Sequence, residues 1–305
     1  MHYSVMLNES IEGLNIKEDG IYVDCTLGYG GHSSKILERL TKGHLYSFDQ
    51  DEEAIKYSTE RLSKISNNFD IIYSNFSALK EKLNELGIDK VDGILFDLGF
   101  SSPQIDDESR GFSFMKDAPL DMRMDTNNDF SAMNVVNEYT ESNLRKVFFK
   151  YGEEKFSNSI ARNIINNRPI SSTMELVGII EKSVPYKYFK EHHPERKIFQ
   201  AIRIEVNHEL DVLEKVLPDA INLLNKKGRI SVITFHSLED RIVKQTFKEM
   251  SEVSEIFSGL RDEDIPNEFK PKIKLINKKP ILPSEEEIKE NSRSASAKLR
   301  VIERV

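Results

Sequence analysis

Asp24, Gly28, Gly30, Gly31, Asp49 and Asp97 are the residues whose types and spacing can do chemistry. Asp24 precedes a turn that reads Asp-x-x-x-Gly-x-Gly, and Gly30 and Gly31 lead directly into His32. Glycines in such a turn let a ligand approach the backbone where side chains would block it. Asp49 ends the next predicted strand, at a distance suited to bonding both hydroxyls of an adenosine ribose. A nicotinamide dinucleotide suits this pattern poorly. The position of its third glycine is Ser33, and Asp24 would repel a diphosphate. A ligand with a cationic sulfonium, an ammonium group and no phosphate suits an acidic pocket better, and S-adenosylmethionine is such a ligand.

A second block, Asp97-Leu-Gly-Phe-Ser-Ser-Pro-Gln104, places an acid at the end of the fourth predicted strand and a Pro103 turn after it. Methyl transfer to an exocyclic amine needs this kind of loop. The amine is weakly nucleophilic because its lone pair is delocalised into the ring, so acceptors must orient its hydrogens and leave the lone pair facing the methyl group. Positioning supplies most of the acceleration in such an in-line displacement. Asp97 can serve the cofactor or the amine, Ser101, Ser102 and Pro103 can offer carbonyls, and Gln104 can reach the cofactor or the base. Phe76 opens the third helix beside the expected adenine and reads equally well as a stacking residue or as core packing. Cys25 reads as a small strand filler, with no flanking base to activate it.

These side chains must be positioned by an alternating series of strands and helices. Strands are expected at Ile21–Leu27, His44–Gln50, Phe69–Ser74 and Val91–Leu98, and helices at Ser33–Leu40, Glu52–Ile65 and Ser77–Leu86. Four βα units in this rhythm imply a parallel, doubly wound sheet with right-handed crossovers. The rhythm stops after Gly111. Helical spacing at Thr140–Phe149, Asn158–Asn166 and Met174–Ser183 predicts an inserted helical domain at 111–196, with 1–110 and 197–305 forming the core. A long helix, Phe199–Leu224, is expected to bend near Pro218, followed by a strand at Gly228–Phe235 and a helix at Ser237–Met250. Lys272–Ile276 and Lys298–Val305 are expected to close the sheet as an antiparallel pair with a loop between them. Met1–Asn15 reads as a short leader packed on the sheet edge.

Composition narrows the class. The 305 residues are 38% hydrophobic and 31% charged, with a formal net charge of −8. No apolar run approaches membrane-spanning length and no signal peptide is recognisable at Met1–Leu7. The single cysteine excludes an intramolecular disulfide and a cysteine-only metal site, and these absences favour the cytoplasm. A net acidic chain can still bind RNA through local patches. Arg293, Lys298 and Arg300 are the preferred phosphate contacts, whereas Lys270, Lys272, Lys274, Lys278 and Lys279 read as ordinary solvated lysines. Arg123, between Asp121 and Asp125, reads as a rim residue for an inserted base or as part of a salt-bridge network. His236 and Asp240 suit hydrogen bonding better than general-base work, because a methylated amine can lose its proton to water. His192 and His193 point apart as adjacent residues and do not make a metal pair.

Several long blocks resemble the ribosomal RNA small subunit methyltransferase H family: Gly28-x-Gly-Gly-His-Ser33, Asp97-Leu-Gly-x-Ser-Ser-Pro-Gln104, Arg110-Gly-Phe-Ser-Phe-Met115, Pro119-Leu-Asp-Met-Arg-Met-Asp125, Tyr151-Gly-Glu-Glu154, Phe199-Gln-Ala-x-Arg203, Phe235-His-Ser-Leu-Glu-Asp-Arg241 and the tail Arg293–Arg304. The resemblance implies an α/β, class I (Rossmann-like) S-adenosylmethionine-dependent methyltransferase sheet with an inserted helical substrate domain. It implies transfer to N4 of a decoding-centre cytosine in bacterial 16S rRNA, within the small subunit or a late assembly intermediate, by a protein for which a homodimer is one compatible assembly. Carried residue by residue, the cofactor contacts fall on Gly30, Gly31, His32, Asp49, Phe76, Asp97 and Gln104. No metal is expected. Two rivals differ in kind: a methyltransferase for DNA amines or a small molecule, and a non-catalytic assembly factor, which would have no need of the glycine turn or the Pro103 loop.

Overall fold

A parallel strand buried on both faces must be apolar almost throughout, and Val91–Asp97 meets that demand, with Val91, Ile94, Leu95 and Phe96 fully buried. A computed structural model of the chain describes residues 4–99, 107–253, 255–257 and 259–305. It divides into two units, Met1–Gly99 with Leu210–Val305, and Phe100–Glu209. The expected boundaries at 110/111 and 196/197 therefore move to 99/100 and 209/210. The second moves because helix Pro194–Asn207 packs on the helices of the inserted unit.

The first unit is a seven-stranded sheet: β1 (Ile21–Asp24), β2 (His44–Asp49), β3 (Phe69–Tyr73), β4 (Val91–Asp97), β5 (Leu224–Thr234), β6 (Ile273–Leu275) and β7 (Lys298–Arg304), in the order β3-β2-β1-β4-β5-β7-β6. The strands from β3 to β5 are parallel, and β7 is antiparallel to both β5 and β6. The chain steps outward from β1 to β3 and then returns to β4. This reversal makes the carboxyl ends of β1 and β4 the switch point where open α/β sheets bind ligands.

Three expectations change. Met6 leads into a helix, Leu7–Leu14, and not an edge leader. Its Gly13 and Ser10 lie over the sheet, where Ser231 Oγ donates to the Ser10 carbonyl at 3.0 Å and Arg229 to that of Gly13 at 3.3 Å. The long helix breaks at His208 (φ 50°), whereas Pro218 lies inside the continuous helix Glu209–Leu223. Between β6 and β7 the expected loop contains a short helix, Glu285–Glu290, capped by Ser284.

The inserted unit is helical: Ala132–Glu138, Glu141–Lys150, Ser157–Asn166, Thr173–Lys182, Tyr186–His192 and Pro194–Asn207. Asn207 ties its entry segment down, accepting from the Met124 N–H at 2.8 Å and donating to the Met122 carbonyl at 2.8 Å. Glu154 is fully buried and accepts from the Phe156 N–H at 2.8 Å and the Tyr188 hydroxyl at 3.0 Å, with Lys197 Nζ 3.4 Å away. Among the described residues no helix is long and apolar enough to cross a membrane. Removing the Glu154 carboxylate leaves the buried Tyr188 hydroxyl, the part-buried Phe156 N–H and the partly exposed Lys197 ammonium without their common partner. Glu154→Ala should therefore lower stability by about 3 kcal/mol, and Glu154→Gln by less, read from the shift in urea midpoint.

Candidate active site at the strand ends

Asp24, the last residue of β1, is fully buried and fully used. Its Oδ1 accepts from the Thr26 N–H at 3.0 Å, and its Oδ2 from the Ser33 hydroxyl at 2.6 Å. Ser33 in turn lies 3.0 Å from Ser47 of β2. The carboxylate pins the glycine turn to the strand beneath it and does not face a ligand. Gly28 and Gly30 both take left-handed backbone (φ 48° and 73°), which explains their residue type. Helix Glu52–Leu62 clamps the same turn: the Ser58 hydroxyl donates to the Gly28 carbonyl at 2.8 Å and Arg61 to that of Tyr29 at 3.1 Å. A Cβ on Gly31 would collide with Ser4 Oγ.

Asp49 closes the other side of the turn. Its Oδ2 accepts from the Gly28 N–H at 2.7 Å and its Oδ1 from the Asp51 N–H at 2.9 Å. Burial pushes its carboxyl up to about 6, against the lowering by these backbone donors. Beside it Asn75 donates to Gln50 at 3.0 Å, tying the ends of β2 and β3 together. Phe76 follows, half-buried and edge-on to Phe96 at 5.7 Å, so one side of its ring belongs to the core.

Asp97 ends β4. Its N–H donates to Thr26 Oγ1 at 2.7 Å, which links it to the turn. One carboxylate oxygen, Oδ1, is buried with no hydrogen-bond partner among the described residues; the other lies 3.5 Å from His32 Nδ1. His32 is itself buried, and its Nε2 lies 3.1 Å from the Val5 carbonyl. A carbonyl only accepts, so that nitrogen carries the proton and the facing Nδ1–Oδ2 pair needs one more proton to be satisfied. Burial pushes the Asp97 carboxyl up to about 6; His32 opposes this, and Asp24, Glu239 and Glu287 reinforce it.

The expected substrate residues fall less neatly. Arg300 is buried and forks onto Asp240 at 2.7 and 3.2 Å, with Lys298 3.5 Å from the same carboxylate. Arg300 is therefore already ion-paired within the chain. Arg123 forks onto Asp121 at 2.9 and 2.7 Å and donates to the carbonyls of Thr126 and Asn128. That geometry is a salt-bridge network. The His236 ring caps helix Ser237–Ser251, accepting the Glu239 N–H at 3.4 Å. Arg293 is exposed. Ser101, Ser102, Pro103 and Gln104 lie outside the described residues. Val5, Thr26, Ser58 and Arg61 escaped sequence reasoning; only the i, i+3 spacing of Ser58 and Arg61 marks two of them as neighbours on one helix face.

The MraW methylase family model matches residues 1–305. Two curated proteins named ribosomal RNA small subunit methyltransferase H are 55% and 54% identical over 315 residues, covering 100% of this chain and 99% of each relative; they come from Clostridium botulinum strains Loch Maree / Type A3 and Kyoto / Type A2. A solved rRNA methylase from Streptococcus thermophilus aligns over 100% of this chain and 99% of its own, at 12% identity and TM-score 0.44.

A carboxyl raised by folding stabilises the protein when protonated and loses that contribution as pH rises through its folded value. Asp97→Asn should therefore stabilise the protein at pH 7.5, by about 2 kcal/mol. The gain should shrink toward pH 5, where the wild-type carboxyl is protonated. Thermal melts at the two pH values check this.

Proposed function

Since the chain belongs to the MraW methylase family, we propose that it methylates ribosomal RNA, using S-adenosylmethionine, at the exocyclic N4 of a decoding-centre cytosine in 16S rRNA. The observation that carries the reading is one left-handed glycine turn flanked by Asp49, which accepts from the Gly28 N–H, and Asp97, whose N–H is held by Thr26; burial pushes both carboxyls up to about 6. A buried carboxylate oxygen without a partner, such as Asp97 Oδ1, is costly unless a donor or a cation arrives. S-adenosylmethionine fits that demand because it brings ribose hydroxyls, an ammonium and a sulfonium, and when bound it supplies the methyl group.

Each residue has a part in this reading. Asp49 accepts from the ribose hydroxyls, the Gly30–Gly31 backbone admits the amino-acid end, and Phe76 presents its free side to adenine. Gln104 completes the cofactor contacts. His32, held through Nε2 by the Val5 carbonyl, sets its Nδ1 against Asp97. Asp97 then accepts a hydrogen from the cofactor ammonium or from the cytosine amine. The carbonyls of the Ser101-Ser102-Pro103 turn hold the amine hydrogens so that its lone pair points away from the ring plane. The cytosine must leave its stack to reach this edge. The rRNA substrate rests on the names of the relatives, and the N4 position and the small-subunit setting on the motif resemblance.

Asp49→Ala should weaken S-adenosylmethionine binding about 10- to 100-fold, the value of hydrogen bonds to a charged group, as read by calorimetry. With small subunits from cells lacking the gene and methyl-tritiated cofactor, the label should appear in N4-methylcytidine after nuclease digestion. Label in another nucleoside would replace the substrate assignment, and undiminished binding by the variant would overturn the cofactor assignment.

A further inference from the structure

Most cations near the β5–β7 edge are already neutralised within the chain. Lys274 and Arg229 pair with Glu303 at 2.7 and 2.9 Å, and Lys298 and Arg300 converge on Asp240. Lys278 and Lys279 differ. Both are exposed, and neither has a carboxylate partner among the described residues. They stand on an excursion of the chain that is anchored at both ends. On one side the Ile276 N–H donates to the Val301 carbonyl at 3.0 Å; on the other, Ile281 and Leu299 exchange two hydrogen bonds at 2.9 Å.

Asn277 braces the excursion from within. Its Nδ2 donates to the Lys279 carbonyl at 2.7 Å and to that of Leu299 at 3.1 Å, and its Oδ1 accepts the Val301 N–H at 2.7 Å. The two ammonium groups are thus carried on a fixed backbone. Register gives their place. Asp97 pairs with Ile233, Ile233 with Leu299, and Leu299 bridges to Ile281. These four residues form one lateral row across the sheet. Ile281, where the lysine excursion rejoins the sheet, therefore lies in the row of Asp97, roughly 14 Å from it, which is three strand spacings. Exposed Ile281 and Leu282 follow it and offer an apolar surface beside the charges.

We propose that Lys278 and Lys279 are a phosphate-contact site that holds the substrate RNA strand beside the reactive edge. This rests on the RNA-methylating reading above. Unpaired cations on a braced backbone bind a polyanion without first breaking an internal ion pair, so the net gain per contact is larger than for Lys298 or Arg300.

The test measures binding of the full chain to 16S rRNA and to small ribosomal subunits from cells lacking the gene, across a salt series. The double variant Lys278→Glu/Lys279→Glu should bind both about tenfold more weakly at 0.1 M salt, with the log–log salt slope reduced by about 1.4, the value of two single-strand contacts. Its affinity for S-adenosylmethionine should be unchanged, and Lys278→Arg/Lys279→Arg should bind like wild type. An unchanged salt slope in the charge-reversed protein overturns the assignment. Weakening on subunits with normal binding to 16S rRNA also overturns it, by assigning the lysines to a ribosomal protein. Failure of the wild type itself to bind either RNA would instead sink the functional reading on which the inference stands.

Discussion

Carboxylates drawn in at the ends of adjacent parallel strands, Asp24 fully and Asp49 and Asp97 in part, are the constraint on which the rest of the molecule depends. Asp24, Asp49 and Asp97 end β1, β2 and β4, and they differ in how far the chain itself satisfies them. Asp24 has donors on both oxygens and is structural. Asp49 has backbone donors that a ligand can replace, and its carboxyl is pushed up to about 6. Asp97 has an oxygen with no partner among the described residues, and its carboxyl is likewise pushed up to about 6. The gradient runs from a group that builds the turn to groups whose stabilisation is left for a ligand to supply. Local instability of this kind is what a binding site costs a fold.

The arrangement works because each carboxylate is placed by something rigid. The sheet fixes the strand ends, the Ser58–Arg61 face fixes the glycine turn, and the Thr26 hydroxyl ties β4 to β1. Val5, far from the turn in sequence, fixes which nitrogen of His32 carries its proton. That contact gives the helix at Leu7–Leu14 and the segment before it a part in the site's electrostatics as well as in covering the sheet.

Much of this was legible in the residue order. Apolar runs of strand length, separated by helical spacing, gave three βα units and the fourth strand within a few residues, and the acids at Asp49 and Asp97 ended the expected strands. What escaped did so for physical reasons. Leu7, Ile11 and Leu14 carry helical spacing, but eight residues are too few to outweigh a mixed composition. Pro218 looked like the break because proline lacks an N–H, yet the helix runs through it and bends instead at His208, beside the Arg203–Glu209 ion pair. Pairing was the least legible property of all. Arg123, Arg300 and Lys278 are alike as cations, and only tertiary structure shows that the first two are paired with aspartates whereas the third has no carboxylate partner among the described residues.

The central claim is that Asp49 and Asp97 bind the cofactor as carboxylates released from an unfavourable, half-protonated state. Calorimetric titration of S-adenosylmethionine across pH 5 to 8 tests it most directly. Affinity should rise about tenfold or more between pH 5 and 7.5 and then level off as both groups ionise, with protons released to the buffer on binding near pH 6. Affinity that is flat across this range, with no proton release, would contradict the account.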